Sequence, residues 1–167
     1  MTVFAAASDR HCATATSGTD RAMFGCFASK LAAERVVTGS GLPWTTLRAT
    51  QFHDLILTVA RALAKLPVIP VPTGSRFQPV EATEVAERMA ELALGQPSGL
   101  VPDLAGPKIY TVAELVKPYL SAADKRRPLV PVHIPGQAAR TLRAGANLAP
   151  DLAVGKRTWE EFLAGRS

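Results

Sequence analysis

The chain has 167 residues, of which 47% are hydrophobic and 20% charged; this excludes a wholly disordered polypeptide and suffices for one domain with a sizeable core. Its formal charge is +5 and its pI near 9.6; the basic residues, among them Lys108, Lys117, Lys125-Arg-Arg127, Arg140, Arg143 and Lys156-Arg157, are spread out with few aromatics between them, which argues for a solvated face and against a nucleic-acid surface. The two cysteines, Cys12 and Cys26, are too far apart for a Cys-x-x-Cys pair and have no His at ligand spacing, so neither a disulfide framework nor a metal site is expected.

The first segment, Met1 to Ala7, is apolar but has no basic n-region and is soon followed by Ser8-Asp-Arg10, a poor signal peptide. No uninterrupted apolar run is long enough to cross a bilayer. A cytoplasmic protein without a membrane partner is the expectation. His11-Cys-Ala-Thr-Ala-Thr-Ser17 reads either as a small-residue strand or as part of a disordered arm, and residues 1–23 are set apart as a poorly defined segment.

From Phe24 the pattern firms. Phe24-Gly-Cys-Phe-Ala-Ser-Lys-Leu-Ala-Ala-Glu-Arg-Val-Val37 is a lysine-bearing amphipathic helix with Glu34 and Arg35 outward or amphipathic, and Gly39 and Gly41 supply its stop. Trp44 to Ala49 is a short β-prone run. Phe52 to Leu66 reads as a helix with Leu55, Val59, Leu63 and Leu66 on one side, ended by Pro67. Val68-Ile-Pro-Val-Pro72 is extended and edge-like, because its prolines cannot donate to a central ladder. Thr73-Gly-Ser75 is a turn, and a helix runs from about Ala82 to Leu94, closed by Gly95.

Leu100 to Leu104 and Ile109-Tyr110 flank an Ala-Gly-Pro turn. Two capping boxes, Thr111-Val-Ala-Glu114 and Thr158-Trp-Glu-Glu161, open helices. Between them lie a strand at Pro128 to Ile134 and a helix at Gly136 to Ala146. Helices alternating with short strands specify α/β architecture.

Helix, glycine stop, strand and the polar cluster Thr50, Gln51 and His53 follow in series. In an open α/β sheet, ligands collect beyond the strands' carboxyl ends. This order resembles the active-site half of the NmrA-like atypical short-chain dehydrogenase/reductases, in which a Tyr-x-x-x-Lys helix precedes a strand ending in a Leu-Arg-x-Thr-x-Phe-like motif, here Leu47-Arg-Ala-Thr-Gln-Phe52. The likeness covers roughly residues 17 to 165. No Gly-x-Gly-x-x-Gly or Gly-x-x-Gly-x-x-Gly run occurs near the start. The resemblance therefore implies a partial Rossmann-like parallel sheet with flanking helices and a C-terminal substrate-region extension. Residues 24–167 would form the C-terminal half of the domain, without the glycine-rich dinucleotide-binding half.

By that resemblance Lys30 is the lysine that binds the nicotinamide ribose and lowers the pKa of the family's tyrosine, and Cys26 stands at the tyrosine position four residues earlier. A thiol is shorter than a phenol and would not reach the same carbonyl from the same Cα. Lys30, Thr50, Gln51 and Phe52 are the implied NAD- or NADP-binding residues, and His53 and Gln78 face the substrate. Glu81 or Glu84 fits the family's acidic position after the valine. Each has a plainer structural reading: Cys26 as a small buried hydrophobe, Lys30 as a surface lysine, His53 as a first-turn or N-cap residue, Thr50 or Asp54 as the cap of the same helix, and the glutamates as helix-start carboxylates.

The implied parent function is NAD(P)-dependent oxidoreduction on a small-molecule substrate, truncated and catalytically impaired in this chain alone. The alternative is a non-catalytic ligand-binding or dimeric interaction module on the same scaffold, where a second copy covers the open edge of half a sheet.

Overall fold

The computed structural model describes residues 4–7, 10–16, 32 and 34–166, the first two stretches as backbone alone. Two strands come first, β1 (Phe4–Ala7) and β2 (Arg10–Thr16), followed by the described end of a helix at 34–38 (α1) and by β3 (Trp44–Ala49). Then come α2 (His53–Leu63), β4 (Ile69–Pro72), β5 (Arg76–Phe77), α3 (Ala82–Leu94), β6 (Gly99–Leu100), β7 (Tyr110–Thr111) and α4 (Val112–Ala122). The chain closes with β8 (Leu129–Val132), α5 (Gln137–Arg143), a 3-10 turn at Pro150–Leu152 and α6 (Trp159–Ala164).

The principal sheet has the order β1-β2-β3-β6. β3 runs parallel to both neighbours, pairing Thr14 of β2 with Leu47 and Leu100 of β6 with Thr46, whereas β1 joins the edge of β2 antiparallel. A parallel strand is covered on both faces. Thr45, Thr46, Leu47 and Ala49 of β3 are all buried, as a central strand requires. The small-residue segment at 10–16 is thus a strand of the sheet.

α3 covers this sheet through Val85 and Met89, which meet Leu47, Ala49, Val80, Val101 and Leu104 in one core cluster. A second cluster joins α2, β7, α4 and α6 around Trp159, which is fully buried and donates its indole N–H to Leu115 O at 2.9 Å. A third packs Ile69 of β4 against Ala64, Val116 and Leu120. β4 pairs only with β8, in parallel, as a two-stranded outlier. That placement satisfies its prolines, which have no N–H to offer a second neighbour.

Local chemistry accounts for most element ends. Both capping boxes form: Thr111 accepts from Glu114 N and Thr158 from Glu161 N, with each glutamate returning a bond to its cap's N–H. Gly74 makes the turn after β4 at φ +76°, a conformation that favours glycine. Gly106 lies so close to the Pro79 carbonyl that a Cβ would sit 1.7 Å from its oxygen, so only glycine lets the two backbones approach this way.

Two expectations about faces are corrected. Glu34 is not directed to solvent: it forms a 2.8 Å ion pair with Arg48 of β3, both side chains nearly buried. On α2 the buried residues are His53, Ile56, Leu57 and Ala60, while Leu55 and Val59 stay half exposed. The helix carries apolar residues on two sides, and Trp159 and Phe162 of α6 cover only one.

Candidate functional site

The chain leaves β3 at Ala49 and turns across the 77–80 segment before α2 begins. Thr50 N donates to Leu104 O at 3.1 Å, Val80 N to Gln51 O at 2.8 Å and His53 N to Val80 O at 3.1 Å. Phe52 pairs with Val80 as a parallel bridge and is the extended N-cap of α2, without a side-chain cap bond. Neither Thr50 nor Asp54 caps this helix. The buried Thr50 hydroxyl donates instead to Gln78 O.

Gln78, expected to face substrate, is buried, with its amide directed at backbone. Its Nε2 donates to Gly106 O at 2.9 Å and its Oε1 accepts from Ala149 N at 3.0 Å. Gln51 reaches from the strand end to Asn147 O at 3.2 Å, and Asn147 Nδ2 donates to Arg76 O at 2.9 Å. Asn147 is fully buried and was not visible in the sequence, where Ala146-Asn-Leu148 carries no motif. These amides sew the strand end, the 76–80 segment, Gly106 and the 147–149 loop into one rigid floor.

His53 begins α2 completely buried, its ring stacked on Phe162 at 4.8 Å and tilted against Trp159 at 5.9 Å. Its Nδ1 lies 3.8 Å from Glu81 Oε2, and neither ring nitrogen has a hydrogen-bond partner. Burial holds the imidazole below its ordinary pKa of 6.5, with Arg157 adding to the effect and Glu81 opposing it. At neutral pH the ring is uncharged.

Glu81 is the N-cap of α3, accepting from Ala82 N at 3.0 Å and pairing with Arg157 at 3.0 Å. Glu84 accepts from Lys156 N and Arg157 N. Both glutamates thus tie the C-terminal segment to α3. Cys26 and Lys30 lie outside the described residues.

One recess opens beside this floor. It holds about 370 Å³ between α2, β4, β5, α4 and β8, and Leu55, Val59, Phe77, Val112, Val132 and Ile134 are among its lining residues. Among the described residues, Gln51 is the only polar one in its lining. Since Gln51 also follows β3 directly, the recess begins at the carboxyl end of a parallel strand, where this class of sheet places ligands. Among the described residues, no three His, Cys, Asp or Glu side chains are grouped to hold a metal ion, and no helix is long and apolar enough to cross a membrane.

No protein-family model and no curated protein matches this chain. Solved structures do. It is similar to the NADPH-dependent quinone oxidoreductase of Escherichia coli, crystallised with NADPH, with 16% identity and a TM-score of 0.74 over 95% of this chain and 65% of that one. A nucleoside-diphosphate-sugar epimerase from Staphylococcus aureus matches at 15% identity and a TM-score of 0.66, over 90% of this chain and 62% of that one. The Citrobacter sp. triphenylmethane reductase, complexed with NADP(H), matches at 18% identity and 0.59, over 92% and 59%.

The likeness shows the fold: strands of a parallel sheet with flanking helices in a Rossmann-like arrangement. The chain spans 65% of the length of the quinone oxidoreductase.

Proposed function

We propose that this chain is the substrate-side portion of an NAD(P)-dependent oxidoreductase, able to offer a floor for the nicotinamide and substrate but unable to complete catalysis alone. The observation that carries the reading is the position of Gln51, at the carboxyl end of a central parallel strand and at the mouth of an apolar recess. The fold shared with proteins crystallised with NADPH and NADP(H) supports NAD or NADP as the cofactor.

In this reading Thr50, Gln51 and Phe52 shape the nicotinamide side of the floor, with Gln51 the residue that touches ligand. Gln78 acts from behind it, as does His53. Lys30 would hold the ribose and Cys26 replaces the tyrosine acid. Without glycine-rich amides to grip a diphosphate this portion, taken alone, would hold the cofactor weakly, and a thiol at position 26 would leave the carbonyl without its usual proton donor. The location that suits such chemistry is the cytoplasm.

Calorimetric titration of NADPH and NADH tests the reading. Weak heat at millimolar cofactor is expected, reduced more by Lys30→Ala than by the control Lys125→Ala. No heat at that concentration overturns the proposal for this polypeptide, and equal effects of the two variants remove Lys30 from the site.

A second reading, a dimeric interaction module, draws on one observation: among the described residues β1 pairs with β2 alone, leaving an edge for a second copy.

A further inference from the structure

We propose that the recess beside Gln51 is a binding site for an uncharged apolar molecule of about two fused rings, and that this is the substrate class of the oxidoreductase reading, on which the word substrate rests.

The walls make the case. Leu55 and Val59 lie one helical turn apart on α2 and remain 54% and 48% exposed, although the same helix buries its opposite side completely. Ile134 faces them at 45% exposed. Pro70 and Pro72 of β4 contribute a stretch of lining that has no N–H to donate. Among the described residues, no charged side chain belongs to the lining.

A carboxylate or ammonium entering this recess would shed water and find nothing to replace it. A hydrocarbon ring system would gain contact on three sides. The volume of about 370 Å³ falls at the small end of ligand sites, which run from about 300 to 1,000 Å³. It has room for two fused rings.

Two features favour a small molecule over a protein partner. The recess is concave and lined by side chains from five elements, and a stable protein interface needs roughly 800 Å² on each partner. It also reaches the strand end at Gln51, whose amide is held by Asn147 O and Gln78 N, so that this residue adds its carbon stem to the apolar lining.

The test is a fluorescence titration of the full chain with 2-naphthol and 2-naphthoate, one ring system with and without a charge, in the absence of cofactor. We expect 2-naphthol to bind at least tenfold more tightly than 2-naphthoate. Val59→Asp should weaken 2-naphthol at least tenfold. Leu94→Asp, at a residue 88% exposed at the end of α3 and outside the recess, should leave it unchanged. If circular dichroism finds Val59→Asp unfolded, Ile134→Asp on the facing wall replaces it.

Equal affinity for the two ligands overturns the proposal. So does 2-naphthol binding that ignores both wall substitutions, or a parent dimer that Val59→Asp dissociates while 2-naphthol fails to bind. The expected naphthol pattern together with silent cofactor calorimetry supports the site and sinks the oxidoreductase reading instead, so the two failures are distinguishable.

Discussion

His53 shows how a residue type that suggests proton chemistry can be committed to packing. Its ring lies between Phe162, Trp159 and the Glu81 carboxylate, with both nitrogens unbonded. A buried imidazole without partners avoids the larger cost of a buried cation by staying neutral. Because burial lowers its pKa in the fold below 6.5, the unfolded chain takes up the proton first as the pH falls. Stability from this residue is therefore complete above the unfolded pKa and declines from there down to the lower folded value, with a slope of up to about 1.4 kcal/mol per pH unit. His53→Phe keeps the ring stack and removes the titration. Urea melts at intervals from pH 7.5 to pH 5 should show a decline for the parent and a flatter line for His53→Phe. Parallel lines would mean that His53 does not titrate differently in the folded and unfolded states.

At the scale of elements, each end is governed by what its own few residues can satisfy, and α6 is the clearest case. Thr158 caps it, Glu161 closes the box, and the helix then seats Trp159, Phe162 and Leu163 in the core shared with α2 and α4. Thr158→Ala should lower stability by about 1 kcal/mol, the usual worth of such a cap, as read from the urea midpoint with the slope unchanged. Thr158→Ser should restore most of it. Backbone N–H groups at Thr111 and Thr158 hold the Glu114 and Glu161 carboxyls below their ordinary pKa of 4.5, so the boxes contribute above that value and weaken as the pH falls through the lower folded pKa. The decline from His53 begins near 6.5 and that from the boxes near 4.5, so the two have different onsets in one pH series. Such devices were legible in the sequence because threonine, glutamate, glycine and proline declare their roles locally: β3, α3, the turn at Gly74 and both boxes fall where those residues put them. The exposed side of α2 was not legible. Leu55 and Val59 are as apolar as Ile56 and Leu57, and the choice between them is made by Trp159 and Phe162, about a hundred residues further on. Glu34 likewise finds Arg48 only through the tertiary fold, and the backbone bonds of Gln78 join segments whose sequences say nothing of each other.

For the whole molecule, the decisive feature is a sheet whose described strands run β1-β2-β3-β6, with β1 turned antiparallel at one end. An edge strand offers a ladder of N–H and C=O groups, and natural proteins cover or blunt such edges. β1 is a run of Phe and Ala with no charge or proline, so it carries none of the common deterrents. If a second copy covers it, the particle in light scattering should have twice the 17.7 kDa of one chain. Along a strand, successive residues direct their backbone N–H groups to opposite sides. Of the variants Ala5→Pro and Ala6→Pro, one therefore strikes the bond toward β2 and the other strikes the free edge. The second should yield a folded monomer, while the first lowers stability without favouring the monomer. Val59→Asp should leave the mass alone, since β4 and β8 beside the recess belong to a different sheet from β1. A parent that is monomeric at high concentration removes the edge-covered dimer and leaves the substrate-side reading to stand on cofactor and naphthol binding.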